Sequence, residues 1–225
     1  MAWAATLYFL PVEIRVLTGM ILMAGVTLTA IAWMSGEISG DRILAGLFMA
    51  TSTLTTSGFV SLTDNSWPVA GIMLMLMLMF TGGAAGSTSG GLKLLRFTAL
   101  IKMAGREIRR LAHPHGVVAL KYGRRPIDTA TLHAIWSYFC IYLLTIVGLA
   151  IVLALFGVKF TDAISMVVAV ISNSGLSDGT LLIESSAGYV DLSFGAKLSL
   201  IVAMILGRLE FLTVLVLLSP SFWRR

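Results

Sequence analysis

Long apolar runs, separated by short polar segments, organise this chain. Four of them extend over about Val16 to Met34, Val69 to Phe80, Ala134 to Phe156 and Leu198 to Leu218. The first, third and fourth approach the roughly 20 residues that a membrane-crossing helix needs. The second is short if it stops at Phe80, but apolar residues resume from Leu92 to Met103 after an interruption at Thr81 to Gly91. That pattern predicts one helix broken in its middle. Two shorter runs, Ile43 to Leu54 and Ala163 to Ile171, hold about half the residues of a crossing. They are apolar all round, which predicts burial rather than a surface-lying amphipathic helix.

Of the 225 residues, 57% are hydrophobic and 12% are charged, with mean hydropathy +0.93. A soluble domain carries about twice that charged fraction. The pattern and composition together predict an all-α membrane protein with four spanning helices and two re-entrant half-helices. They speak against a soluble enzyme. Met1-Ala2-Trp3-Ala4-Ala5 has no basic stretch ahead of its apolar run and does not read as a signal peptide. The single cysteine, Cys140, excludes an internal disulfide framework, and no Cys/His cluster has metal-site spacing.

The charges are placed asymmetrically. Between the second and third long runs, Lys102, Arg106, Arg109, Arg110, Lys121, Arg124 and Arg125 face only Glu107 and Asp128. Flanked by membrane helices, such a loop follows the positive-inside rule and does not point to nucleic acid. Arg15, Arg224 and Arg225 fall on the same side. Glu37, Asp41, Asp64, Asp162, Asp178, Glu184 and Asp191, against Arg42, Lys159 and Lys197, fall on the other. Both termini are therefore expected in the cytoplasm. Lys121 to Arg125 suit anionic lipid head groups or a regulatory subunit, while His113 and His115 lack a third ligand. Met73, Met75, Met77 and Met79 read as lipid or packing contacts.

Each short run starts beside an aspartate, Asp41 or Asp162, and ends in a polar segment: Thr55-Thr56-Ser57-Gly58-Phe59 or Ser172-Asn173-Ser174-Gly175-Leu176. A shift of 117 residues lays Gly58 on Gly175 and Ser57 on Ser174. The chain reads as two units, 1–126 and 127–225, each an outer helix, a half-helix, a polar glycine segment and an inner helix. The aspartates suit the N-terminal ends of the half-helices. A half-helix entering from outside aims its carbonyl end at the membrane interior, where irregular backbone survives only inside protein or beside a watery cavity. Carbonyls facing such a cavity can replace the water around a cation. Glycine permits the required backbone, although a plain turn glycine is the alternative at both positions.

These segments resemble those of the Trk/Ktr/HKT potassium uptake proteins. The similarity rests on Thr55 to Phe59, on Gly82-Gly83-Ala84-Ala85-Gly86-Ser87-Thr88-Ser89-Gly90-Gly91-Leu92-Lys93, and on Gly207-Arg208-Leu209-Glu210-Phe211 followed by Ser219-Pro220-Ser221-Phe222-Trp223. His113-Pro114 also fits. The second segment, Ser172 to Leu176, is the looser match. Family members resemble four fused potassium-channel subunits, and this sequence corresponds to the last two repeats.

The resemblance implies potassium as substrate, held at filter carbonyls of Thr55, Thr56, Ser57, Gly58, Phe59, Ser172, Asn173, Ser174, Gly175 and Leu176. It implies a gate formed by Gly82, Gly83, Gly86, Ser87, Thr88, Gly90, Gly91 and Arg208. No cofactor is implied. The expected surroundings are a bacterial inner membrane, with membrane lipid, a missing N-terminal half or second copy of the chain, and a cytosolic nucleotide-binding (TrkA/KtrA-like) regulatory subunit as partners. From the residues alone, a charge as deep as Arg208 needs a partner or a watery face; the resemblance implies a positive barrier in the pore, with one half of an internal ion pair as the alternative. A non-conducting half-length membrane module that assembles with a separate pore chain is the competing reading.

Overall fold

A computed structural model describes residues 2–34, 41–60, 67–112, 121–122, 125–126, 128–176 and 188–209. Among these residues seven α-helices follow one another: α1 (Ala2–Met34), α2 (Asp41–Leu54), α3 (Val69–Thr81), α4 (Leu94–Ala112), α5 (Thr129–Leu155), α6 (Phe160–Ile171) and α7 (Phe194–Arg208). The basic connection after α4 contains a two-residue antiparallel ladder, β1 (Lys121–Tyr122) with β2 (Arg125–Pro126). That ladder is a small departure from a purely helical chain. His113, His115, Glu210 and Ser219 to Trp223 lie outside the described residues.

Among the described residues two helices are long and apolar enough to cross a membrane, over Glu13–Met34 and Ala130–Leu155. The predicted break in the second long run is present: α3 stops at Thr81 and α4 begins at Leu94. α1 begins earlier than its apolar core predicted and runs on through Pro11, although proline removes a backbone donor and ordinarily marks a break.

Polar side chains in these helices turn back on their own backbone. The hydroxyls of Thr18, Thr29, Thr51, Thr53 and Thr145 donate to the carbonyl four residues earlier at 2.6–2.9 Å. A hydroxyl so satisfied can sit in an apolar surrounding without the full cost of an unpaired polar group.

α1 packs on α2 and α2 on α3; α5 packs on α6 and α6 on α7; contact between α3 and α6 joins the two halves. One apolar core runs through both, with Met49, Leu54, Met75 and Met79 from the first half and Leu153, Met166 and Ile171 from the second, all fully buried. The methionine row of α3 divides accordingly: Met75 and Met79 face inward, while Met73 and Met77 are exposed.

The two half-helices differ in burial. α6 is enclosed along most of its length. α2 is not, since Ile43, Leu44 and Phe48 are exposed at 54%, 76% and 44%. An all-apolar surface distinguishes water from everything else, but lipid and protein are nearly equivalent to it. Pattern alone therefore could not place α2's outer face. Asp162 also differs from expectation. It is completely buried in the first turn of α6, where Lys159 holds the capping position without a side-chain cap. Its charge still suits the positive end of the helix.

Candidate functional site

Both half-helices end in the same way. In the first, the amides of Thr55, Thr56 and Ser57 donate to the carbonyls of Thr51, Thr53 and Ser52 at 2.9, 3.3 and 3.0 Å. In the second, those of Ser172, Asn173 and Ser174 donate to Val168, Val170 and Ala169, each at 3.0 Å. Every bond in one set has its counterpart 117 residues away. Paired bonds of this kind close a helix when the residue after its last turn enters the left-handed region. Thr56 and Asn173 do so, with φ of 54° and 56°. Gly58 and Gly175 follow two residues later, at 77° and 68°.

Asparagine tolerates that conformation, but a β-branched threonine is a true outlier there. Thr56→Gly is expected to raise stability in detergent by about 1 kcal/mol, the lower end of the left-handed penalty, and Asn173→Gly by less. Thermal unfolding of the two variants beside the parent checks this.

The two polar segments meet. A Cβ built on Gly58 would collide with the carbonyl oxygen of Ser174, so the two backbones touch at this point. Around Gly175 there is open space. Ser57, Phe59 and Gly175 are exposed, whereas Thr56, Ser172, Ser174 and Leu176 are buried. Behind the second segment the Ser174 hydroxyl bonds the Ala169 carbonyl at 3.2 Å and the Met79 sulfur at 3.4 Å, which ties it to α3.

The Gly-rich interruption lies against the same segments. α3 ends with the Gly82 amide on the Leu78 carbonyl. The chain then makes an excursion and returns: the amide of Leu92 donates to Phe80 and that of Leu94 to Gly83, at 3.1 and 2.9 Å. The loop is therefore closed at its neck, with α4 resuming where α3 stopped. A Cβ on Gly90 would strike the Ser172 carbonyl, so the loop abuts the end of α6. Gly86 meets nothing and has no such packing requirement.

Three side chains hold the loop. Arg208 donates from Nη1 to the Thr88 carbonyl at 2.7 Å, across 120 residues of sequence. Lys93, itself left-handed at φ 70°, donates to the Ala85 carbonyl at 3.4 Å. Arg96 lies over the Tyr138 ring at 4.1 Å and so fixes the start of α4 to α5. A polar cavity of about 200 Å³ beneath is lined by Ser87, Thr88, Lys93, Tyr138, Gly207 and Arg208. Among the described residues Arg208 has no acidic partner; its hydrogen bond goes to a loop carbonyl.

Sequence reasoning missed several residues here. Tyr138 lines the cavity, and buried Glu13 directs its carboxylate toward the Ala85 amide in the field of Lys93. Ser52 reaches the Phe59 carbonyl. Among the described residues no group of three His, Cys, Asp or Glu side chains converges as a metal site.

The model of the TrkH cation transport proteins matches residues 1–225. The chain belongs to the TrkH family. It is 37% identical over 223 residues to the Trk system potassium uptake protein TrkH of Halomonas elongata, covering 98% of this chain and 45% of that one. TrkH of Escherichia coli K12 is 34% identical over 219 residues, 96% of this chain and 44% of that one. The crystal structure of the potassium transporter TrkH from Vibrio parahaemolyticus superposes with TM-score 0.80 at 34% identity, over 94% of this chain and 45% of that chain. This TrkH-family chain thus spans under half the length of the relatives it matches. The family is one of membrane transporters and not of enzymes.

Proposed function

We propose that this chain forms the C-terminal half of a potassium-conducting membrane subunit. The observation that carries the reading is the backbone contact of Gly58 with Ser174, which brings two like-shaped glycine segments together above a closed Gly-rich loop. Potassium passes down its electrochemical gradient. Backbone carbonyls of Thr55 to Phe59 and Ser172 to Leu176 stand in for its water, as carbonyl rings do in channel filters. The loop from Gly82 to Lys93 obstructs the path below, and Arg208 holds it there.

Residues 1–126 and 127–225 act as two pore repeats, and both termini face the cytoplasm. Two segments cannot encircle an ion, so two more come from an N-terminal half or from a second copy. The basic α4 and the loop after it are the surface for a cytosolic nucleotide-binding regulatory subunit. The relatives are potassium uptake proteins by name, which supports potassium as the substrate.

The test is rubidium uptake in cells lacking their own potassium uptake, with this chain expressed alone, membrane insertion confirmed, and Gly58→Asp as control. Uptake that Gly58→Asp abolishes means that half-length chains assemble a working pore. Well-inserted protein without uptake means a module that does not conduct by itself; adding the other two repeats then has to restore a Gly58-dependent flux, or the permeation reading is lost.

A further inference from the structure

The two glycine segments share a backbone course but are not held in place by the same forces. In the first, the Ser52 hydroxyl, on a residue only 3% exposed, donates to the Phe59 carbonyl at 2.6 Å, reaching from the last turn of α2 across the whole polar segment. Ser57 and Thr55 extend this contact: the Ser57 hydroxyl lies 3.4 Å from that of Ser52, and the Thr55 hydroxyl 3.3 Å from that of Ser57. The residue equivalent to Ser52 in the second half is Ala169, which has no hydroxyl.

The segment ends explain the difference. Phe59 is 67% exposed, whereas its counterpart Leu176 is 2% exposed and belongs to the core. The far end of the first segment is secured by a side-chain hydrogen bond and that of the second by burial of an apolar side chain. The strap also gives the Phe59 carbonyl a protein donor on the α2 side.

We infer that Ser52 is the positioning residue of the first glycine segment: its hydroxyl fixes the Phe59 carbonyl at the end of the ion-facing row, and so sets discrimination between potassium and sodium. This rests on the permeation reading above. A carbonyl held at one place favours one ionic radius, while a carbonyl free to move adapts to a smaller ion. Ser52→Ala therefore relaxes discrimination, and Ser52→Thr, which keeps the hydroxyl, retains it.

Two measurements separate the structural claim from the transport claim. The full chain, labelled with 13C at the phenylalanine carbonyls, is reconstituted in lipid vesicles, and the Phe59 band is assigned by its loss in Phe59→Leu. Loss of the donor in Ser52→Ala moves this infrared band to higher frequency, and Ser52→Thr returns it. In cells, sodium competes with rubidium uptake about fivefold more effectively in Ser52→Ala, the factor carried by one ordinary hydrogen bond, with Ser52→Thr like the parent. An unmoved band overturns the strap itself. A moved band with unchanged competition overturns its role in selectivity. A parent that never takes up rubidium, even with the other two repeats supplied, removes the permeation reading and the positioning role with it, while the band shift still reports whether the strap exists.

Discussion

Gly58→Ala is expected to abolish rubidium uptake, whereas Gly175→Ala keeps a measurable part of it. Both positions are left-handed, and an L-residue there costs about 1–2 kcal/mol. At Gly175 that is the whole effect, because the space around it is open. At Gly58 the new methyl also strikes the Ser174 carbonyl. Overpacking of this kind adds about 1–3 kcal/mol, and the neighbour is backbone, which has little room to retreat. The combined loss is about 30-fold to several thousand-fold for Gly58→Ala, against about 5- to 30-fold for Gly175→Ala. Uptake rates corrected for the amount of inserted protein check the order. Equal losses would show that the contact between the two segments is not what makes Gly58 special.

Arg208→Ala is expected to raise flux when no activating signal is present. The guanidinium bond to the Thr88 carbonyl is charge-assisted, and such bonds contribute about 1.5–3 kcal/mol. Removing it shifts the loop toward its open arrangement by about tenfold or more. Arg208→Lys falls between, because an ammonium on a flexible stem lacks the planar fork of arginine. Thr88→Ala leaves the carbonyl in place and should change little. Ion flux in vesicles without any regulatory partner decides the matter. A fall in flux for Arg208→Ala would mean that the tie supports the pore and does not close it.

Part of this site was legible in the sequence for a physical reason. A half-length apolar run ending in a glycine segment has few places to go in a membrane, and its repetition at a spacing of 117 residues fixed which glycines correspond. The broken helix was equally plain, since a run of five glycines among serines and threonines cannot sustain regular helix. Other features depend on folding that brings distant residues together. The bond from Arg208 to Thr88 spans 120 positions, and nothing local to Arg208 points to a carbonyl as its partner.

Thr56 shows a different limit. Its left-handed backbone contradicts the preference of a β-branched residue, so local propensity predicted against what tertiary structure imposes. α2 shows a third. Its exposed Ile43, Leu44 and Phe48 read the same as buried residues, because lipid leaves no polar signature on a helix face. Ser52 was overlooked since a serine near the end of an apolar helix commonly bonds its own backbone, as Thr53 does to Met49.

The closed neck of the Gly-rich loop makes α4 a lever. Its fulcrum is the pair of bonds from Leu92 to Phe80 and from Leu94 to Gly83. From there α4 runs 19 residues to Ala112, an arm of roughly 28 Å at the usual rise per residue. A swing of about 10° displaces the far end, where Arg109 and Arg110 lie, by about 5 Å, while the near end shifts by only a fraction of that. Force applied at the basic tip arrives at the loop multiplied by the ratio of the two arms. On the gating proposed above, a weak push over a long distance at the basic tip becomes a strong pull over a short one at the loop, and breaking a single hydrogen bond at Thr88 asks for no more travel than that.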